Sequence, residues 1–278
     1  MILLLLAILS SSMISIIMRI SSDKISANLS MLTVNYLICS FLGAVYASFD
    51  ILPVKTLGFN VTLLLGLLSG LLYLISFMLL QLNTRKNGIV LSSIFMKLGL
   101  LVPMVISVLF FREIPTIIQI AGFIIAIGAI ILINIKKESN VKNFGVGLIL
   151  LLLMGGSADA MSKVFERLGT ATLSNQYLFY TFASAFILCL VLAIIKKEHP
   201  GKRELFFGFL IGIPNFFSSK FLLGALGTLP AVVVYPTFCV ATMLVVSLTG
   251  AFIFKEKLTK LQWFALILII LSLAMLNI

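Results

Sequence analysis

Apolar residues in this chain run in long unbroken stretches between short polar connections, without the alternation that marks a half-buried strand. About ten of these runs reach roughly 20 residues, the length that carries an α-helix across a hydrocarbon core. The first five are Ile2 to Ile20, Leu32 to Phe49, Leu57 to Leu82, Gly88 to Phe111 and Pro115 to Ile135. The second five are Phe144 to Phe165, Leu173 to Ile195, Leu205 to Leu226, Leu229 to Phe254 and Leu258 to Ile278. The pattern predicts an all-α polytopic membrane protein. A barrel is disfavoured because its strands alternate lipid-facing with lumen-facing residues. Met1 to Leu9 has neither a basic start nor a small-residue cleavage site, so it reads as a retained first span.

The runs fall into two sets that end in the same phrase. Phe111-Arg112-Glu113 is followed by Thr116, Gln119 and Asn134-Ile135, and Phe254-Lys255-Glu256 by Thr259, Gln262 and Asn277-Ile278 at the same spacings. This predicts a duplication: residues 1–136 form one five-helix repeat, residues 143–278 a second, and residues 137–142 join them. An odd number of crossings sends the second copy into the membrane from the opposite side, so the two repeats are inverted. The connections after spans one, three and five carry Arg19, Lys24, Arg85, Lys86, Lys136, Lys137 and Lys142, against Lys55 and Arg112 after spans two and four. Lys196, Lys197, Lys202, Arg203, Lys255, Lys257 and Lys260 follow spans seven and nine, against Arg167 after span six. By the positive-inside rule the richer set is cytoplasmic and both termini are outside.

Composition narrows the function classes. Hydrophobic residues make up 61% of the chain, charged residues 10%, and mean hydropathy is +1.23, beyond the range of soluble domains. The net charge of +11 resides in the connections, where it sets topology, so nucleic acid is not an expected partner. Cys39, Cys189 and Cys239 lie inside apolar runs and read as packing residues. With one histidine, His199, in a basic connection, no metal-ligand spacing and no Walker-type glycine loop, the sequence predicts no cofactor, no ATP-driven pump and no membrane-depth catalytic triad. Abundant Lys, Ile and Asn suggest a bacterial plasma membrane.

Polar residues inside the spans supply the candidate site, since an ionisable group at membrane depth costs about 2.5 to 3.5 kcal/mol on insertion scales. Lys97 falls near the middle of span four, where it can receive a carboxylate or phosphate. Asp159 and Lys163, four apart in span six, share a helical face and can pair. Lys163 is also close enough to the helix end to reach headgroups, and Asp159 follows the small run Gly155-Gly156-Ser157-Ala158. Lys220 follows Pro214-Asn215 in span eight, where a proline kink would release carbonyls to a ligand. By position along their spans, Asp159 and Lys220 are expected at a similar level. Asn35, Tyr36, Tyr73, Asn215 and Tyr235 add uncharged groups of the kind that orient a ligand in an apolar pocket. Gly66 and Gly70 in span three match Gly208 and Gly212 in span eight, pairs that let helix backbones approach closely. Glu113 and Glu256 are expected to cap helices or form local ion pairs.

Taken with Val34-Asn35-Tyr36, Gly212-Ile213-Pro214-Asn215 and Val233-Val234-Tyr235-Pro236, the repeated phrases resemble the ten-helix EamA-type members of the drug/metabolite transporter superfamily, over essentially the whole chain. The resemblance implies two inverted five-helix repeats, a central cavity lined by the first four helices of each, alternating access, and export coupled to solute and proton gradients. It also implies cytoplasmic termini, opposite to the charge count. The expected activity is secondary transport of a small organic solute, anionic or zwitterionic because the intramembrane lysines outnumber Asp159. Alternatives are a broad exporter of drugs or lipids and, in other classes, a non-transporting scaffold or a membrane enzyme.

Overall fold

The structure, a computed structural model, describes residues 1–21, 24–25, 27–51, 58–87, 89–134, 146–255 and 258–278. Lys55, Gly88, the connection 137–142 with its flanking residues, Glu256 and Lys257 lie outside the described residues. Among those described the chain folds into α-helices with no strand: α1 (Ile2–Ser21), α2 (Asn28–Tyr46), α3 (Phe59–Asn87), α4 (Ile89–Leu98), α5 (Leu101–Phe111), α6 (Ile117–Asn134), α7 (Val146–Leu168), α8 (Ser174–Ile195), α9 (Lys202–Leu226), α10 (Ala231–Phe252) and α11 (Lys260–Leu276). Eight stretches, with α4 and α5 counted together from Ser92, are long and apolar enough to cross a membrane, and α6 and α11 are shorter apolar helices. Side chains such as Phe110 and Ile117 are 75% and 86% exposed, an apolar surface suited to lipid.

The helices form two compact units, Met1–Leu74 with Met161–Gly227 and Ile75–Ala160 with Thr228–Ile278. In the first, α2 packs on α8 and α9, and α1 on α9; in the second, α6 packs on α11, and α10 on α5, α6 and α11. α2 runs antiparallel to α8 in the first unit, and α6 to α11 in the second. Asn175 Nδ2, at the start of α8, donates to the Tyr46 carbonyl at the end of α2 (2.9 Å), while Glu198, just past α8, accepts from Leu29 N at the start of α2 (3.0 Å). Gln262 Nε2 in the first turn of α11 donates to the Ile133 carbonyl near the end of α6 (3.3 Å), and Gly122 near the start of α6 faces Met275 and Leu276.

The glycine pairs make the close approaches expected of them. A Cβ on Gly66 would lie 2.7 Å from Tyr180 Cβ and one on Gly70 2.4 Å from the Thr181 carbonyl, so α3 meets α8 with little but backbone between them. The counterparts on α9 do the same against α2, at 2.7 Å from the Met31 carbonyl for Gly208 and 2.9 Å from the Asn35 carbonyl for Gly212.

The repeated phrase is a helix joint. Arg112 and Lys255 both take left-handed backbone angles, φ 55° each, ending one helix. Thr116 and Gln119 then bond reciprocally, Gln119 N to Thr116 Oγ1 at 3.2 Å and Thr116 N to Gln119 Oε1 at 3.0 Å, as do Thr259 and Gln262. Each is a capping box that supplies acceptors to the orphan donors of a helix start.

Three boundaries depart from the sequence reading. α2 starts earlier, at Asn28, and ends at Tyr46, because Ser48 and Phe49 turn left-handed (φ 54° and 56°). α3 continues to Asn87. Span four is not one helix but two, broken at Gly99-Leu100. The cause is local: Pro103 has no N–H to give the Gly99 carbonyl, and glycine is a poor helix former. Pro214, by contrast, lies inside a continuous α9.

Candidate functional site

Polar residues gather separately in each unit. In the second, Lys97 on α4 and Asp159 on α7 have exposed side chains and lie within Coulombic reach of each other, and Cys239 of α10 lies within the same reach of both. The Tyr235 hydroxyl donates to the Asp159 main-chain carbonyl at 2.9 Å and is itself buried. The α4–α5 break lies against the same stretch of α7. A Cβ on Gly156 would be 2.2 Å from the Gly99 carbonyl oxygen, which accepts from Val102 N at 2.9 Å in place of the donor that Pro103 lacks, so the break rests where only glycine leaves room. Opposite charges, an interrupted helix and a buried tyrosine therefore converge from α4, α7 and α10.

The expected pairing of Asp159 with Lys163 is corrected. Lys163 Nζ lies 2.7 Å from Glu166 Oε2 on the next turn, and Arg167 Nε is 3.4 Å from the same oxygen. Lys163 does not reach headgroups either: it is 1% exposed, in the interior of the first unit. An acid three residues on offered the closer partner, and burial of the ammonium demands one.

Also in the first unit, Asn215 Nδ2 donates to Asn35 Oδ1 at 3.1 Å and Cys39 Sγ to the Gly212 carbonyl at 3.2 Å, so these residues tie α2 to α9 where Gly212 brings the backbones together. Asn35 is 2% exposed, which fits a structural amide better than a ligand contact. Tyr36 is buried and stacked on Phe182 with ring centroids 6.3 Å apart, and Tyr73 is half-buried on α3. The Lys220 ammonium lies 3.1 Å from the centroid of the Tyr46 ring and 6.0 Å from that of Phe216. Sequence reasoning missed Glu166 and Tyr46 as the partners of Lys163 and Lys220. The i,i+3 spacing signals the first; nothing local signals the second, which lies on another helix.

Residues 144–278 match the EamA-like transporter family, a family of membrane transporters. A protein of Haemophilus influenzae, described only as an uncharacterized protein, is 27% identical over 204 residues, 71% of this chain and 69% of its own length. A crystal structure of a protein 14% identical superposes with a TM-score of 0.74 over 99% of this chain and 94% of its own, a likeness of fold.

Proposed function

Proceeding from the membership of residues 144–278 in the EamA-like transporter family, within the drug/metabolite transporter superfamily, we propose that this multi-pass membrane protein is a secondary transporter of a small carboxylate-bearing metabolite, of amino acid or organic acid type. The observation that carries the reading is the accessible Lys97–Asp159 pair beside the broken span four. Carriers commonly place their solute and ion sites at interrupted helices near the bilayer midplane. Lys97 takes the carboxylate, and Asp159 takes an ammonium group or carries the coupling proton. Tyr235, through its bond to the Asp159 carbonyl, holds α7 to α10 at this level and positions the acid.

Residues 1–136 and 143–278 act in this reading as inverted repeats that exchange roles during alternating access. The antiparallel courses of α2 with α8 and of α6 with α11 support it, because equivalent helices of inverted repeats cross the membrane in opposite senses. The bacterial relative and the composition favour a bacterial plasma membrane.

Flux of labelled amino acids and organic acids into proteoliposomes containing only this protein tests the proposal. A transported carboxylate should lose at least about tenfold in rate with Lys97→Met, roughly 1.4 kcal/mol of lost recognition, and Asp159→Asn should abolish acceleration by an imposed pH gradient. Undiminished flux of every candidate in both variants would refute it.

A further inference from the structure

The first unit holds a half-open cavity of about 480 Å³ between the start of α1, the end of α7, the start of α8 and the end of α9. That volume suits a small metabolite. Its apolar wall comes from Leu3, Phe165, Leu178 and Phe221, and two charged residues, Glu166 and Lys220, also line it.

The two charges are not equivalent. Glu166 is already answered by Lys163 and Arg167. Lys220 has no carboxylate partner among the described residues; its ammonium is held by the rings of Tyr46 and Phe216. Ring faces fix the position of a cation without neutralising it. The clamp is rigid: Tyr46 is stacked on Phe216 at 5.5 Å and edge-on to Phe217 at 5.9 Å, and its carbonyl accepts from Asn175, a further cavity residue. A fixed, unneutralised cation on the wall of an apolar cavity favours a single negative charge on an apolar body.

We propose that this cavity is a binding site for a small monocarboxylate, with Lys220 pairing to the carboxylate and the apolar body lying against Leu3, Phe165, Leu178 and Phe221. The site is separate in sequence and fold from the Lys97–Asp159 pair. It goes beyond the transport reading by adding a second carboxylate site, and rests on that reading only for the consequence that the bound carboxylate is cargo.

Isothermal titration calorimetry of the purified full-length protein, with 4-methylpentanoate and its uncharged amide, tests the site. The acid should bind saturably and the amide at least tenfold more weakly. Lys220→Met should weaken acid binding at least tenfold while Lys220→Arg restores most of it. Gly227→Leu provides a second arm that leaves the cation in place: Gly227 lines the cavity with an ordinary φ of −73°, and a Cβ there meets nothing closer than the Gly224 carbonyl at 3.6 Å, so a leucine is accommodated at the cavity wall and should hinder binding. Equal affinity for acid and amide, or acid binding unchanged by both Lys220→Met and Gly227→Leu, would overturn the site. Parallel flux measurements separate the two ideas. Lys220-dependent binding without flux of any carboxylate leaves the cavity assignment standing and removes the transport reading; carboxylate flux with Lys220-independent binding does the reverse.

Discussion

Two glutamates show how far a single side chain can act from its own helix. Glu198, set by the left-handed turn at Lys197 (φ 53°), accepts from Leu29 N and Ser30 N, at 3.0 and 3.3 Å, at the start of α2. Glu113 follows Arg112 in the same way and accepts from Ala231 N and Val232 N, at 2.6 and 3.3 Å, at the start of α10. A carboxylate at a helix start satisfies orphan donors and meets the positive end of the dipole. Glu198→Ala is therefore expected to lower stability by about 1 to 2 kcal/mol and Glu198→Gln by less, read as a fall in melting temperature of the detergent-solubilised protein. An unchanged melt in the alanine variant would remove the capping role. The sequence made Glu113 legible as a capping residue, because it stands at a helix junction, but its target was hidden by the long loop in sequence between donor and acceptor. Local spacing pointed Asp159 to Lys163, whereas Lys163 pairs with Glu166 and the cation within Coulombic reach of Asp159, Lys97, is on another helix that no local spacing could reveal.

At the scale of elements, glycine placement separates contact from mere frequency. Gly155 and Gly156 are adjacent in α7, yet a Cβ on Gly155 meets nothing within 4 Å, whereas one on Gly156 would strike the Gly99 carbonyl and Val102. Gly156→Ala should push α7 away from the α4–α5 break and cost about 1 to 3 kcal/mol, the usual range for overpacking. Gly155→Ala should leave the melting temperature within about a degree or raise it, since alanine suits a helix interior better. The paired melts decide the matter: equal behaviour of the two variants would mean that the break is not braced by this contact. Close packing at Gly66, Gly70, Gly208 and Gly212 was legible because the pairs recur at equivalent places in the two halves. The break in span four was not, since hydrophobicity alone continues through Gly99 to Phe111; Pro103 carried the missing signal, in a donor that the chain cannot supply.

For the whole molecule the question is which face is cytoplasmic. The run lengths predicted about ten spans, where the structure has eight long apolar stretches and two shorter apolar helices among the described residues, and the repeated phrases predicted a duplication, for which α2 with α8 and α6 with α11 have the antiparallel courses that a five-crossing repeat entails. The basic connections that were counted separately along the chain also meet in space. Arg203 Nη1 donates to the Lys24 carbonyl at 3.5 Å, and Glu198 bonds the start of α2, so the segments after α1 and after α8 share one end of the first unit. At the opposite end the connection after α2 meets the start of α8, where Gln176 Nε2 donates to the Asp50 carbonyl at 3.2 Å and the Tyr180 hydroxyl to that of Ile51. By the positive-inside rule, the concentration of positive charge at the first end predicts it to be the cytoplasmic one. In a Cys239→Ala background, with Cys39 and Cys189 buried, a cysteine replacing Lys24 or His199 should react with an impermeant maleimide only after cells are permeabilised, and one replacing Ser48 should react in intact spheroplasts. The reverse pattern would place the termini in the cytoplasm, as the family resemblance implies, and show that helix packing outweighs the charge bias. The antiparallel course of α2 and α8 holds under either result, so the test of orientation leaves the proposed inversion of the repeats untouched.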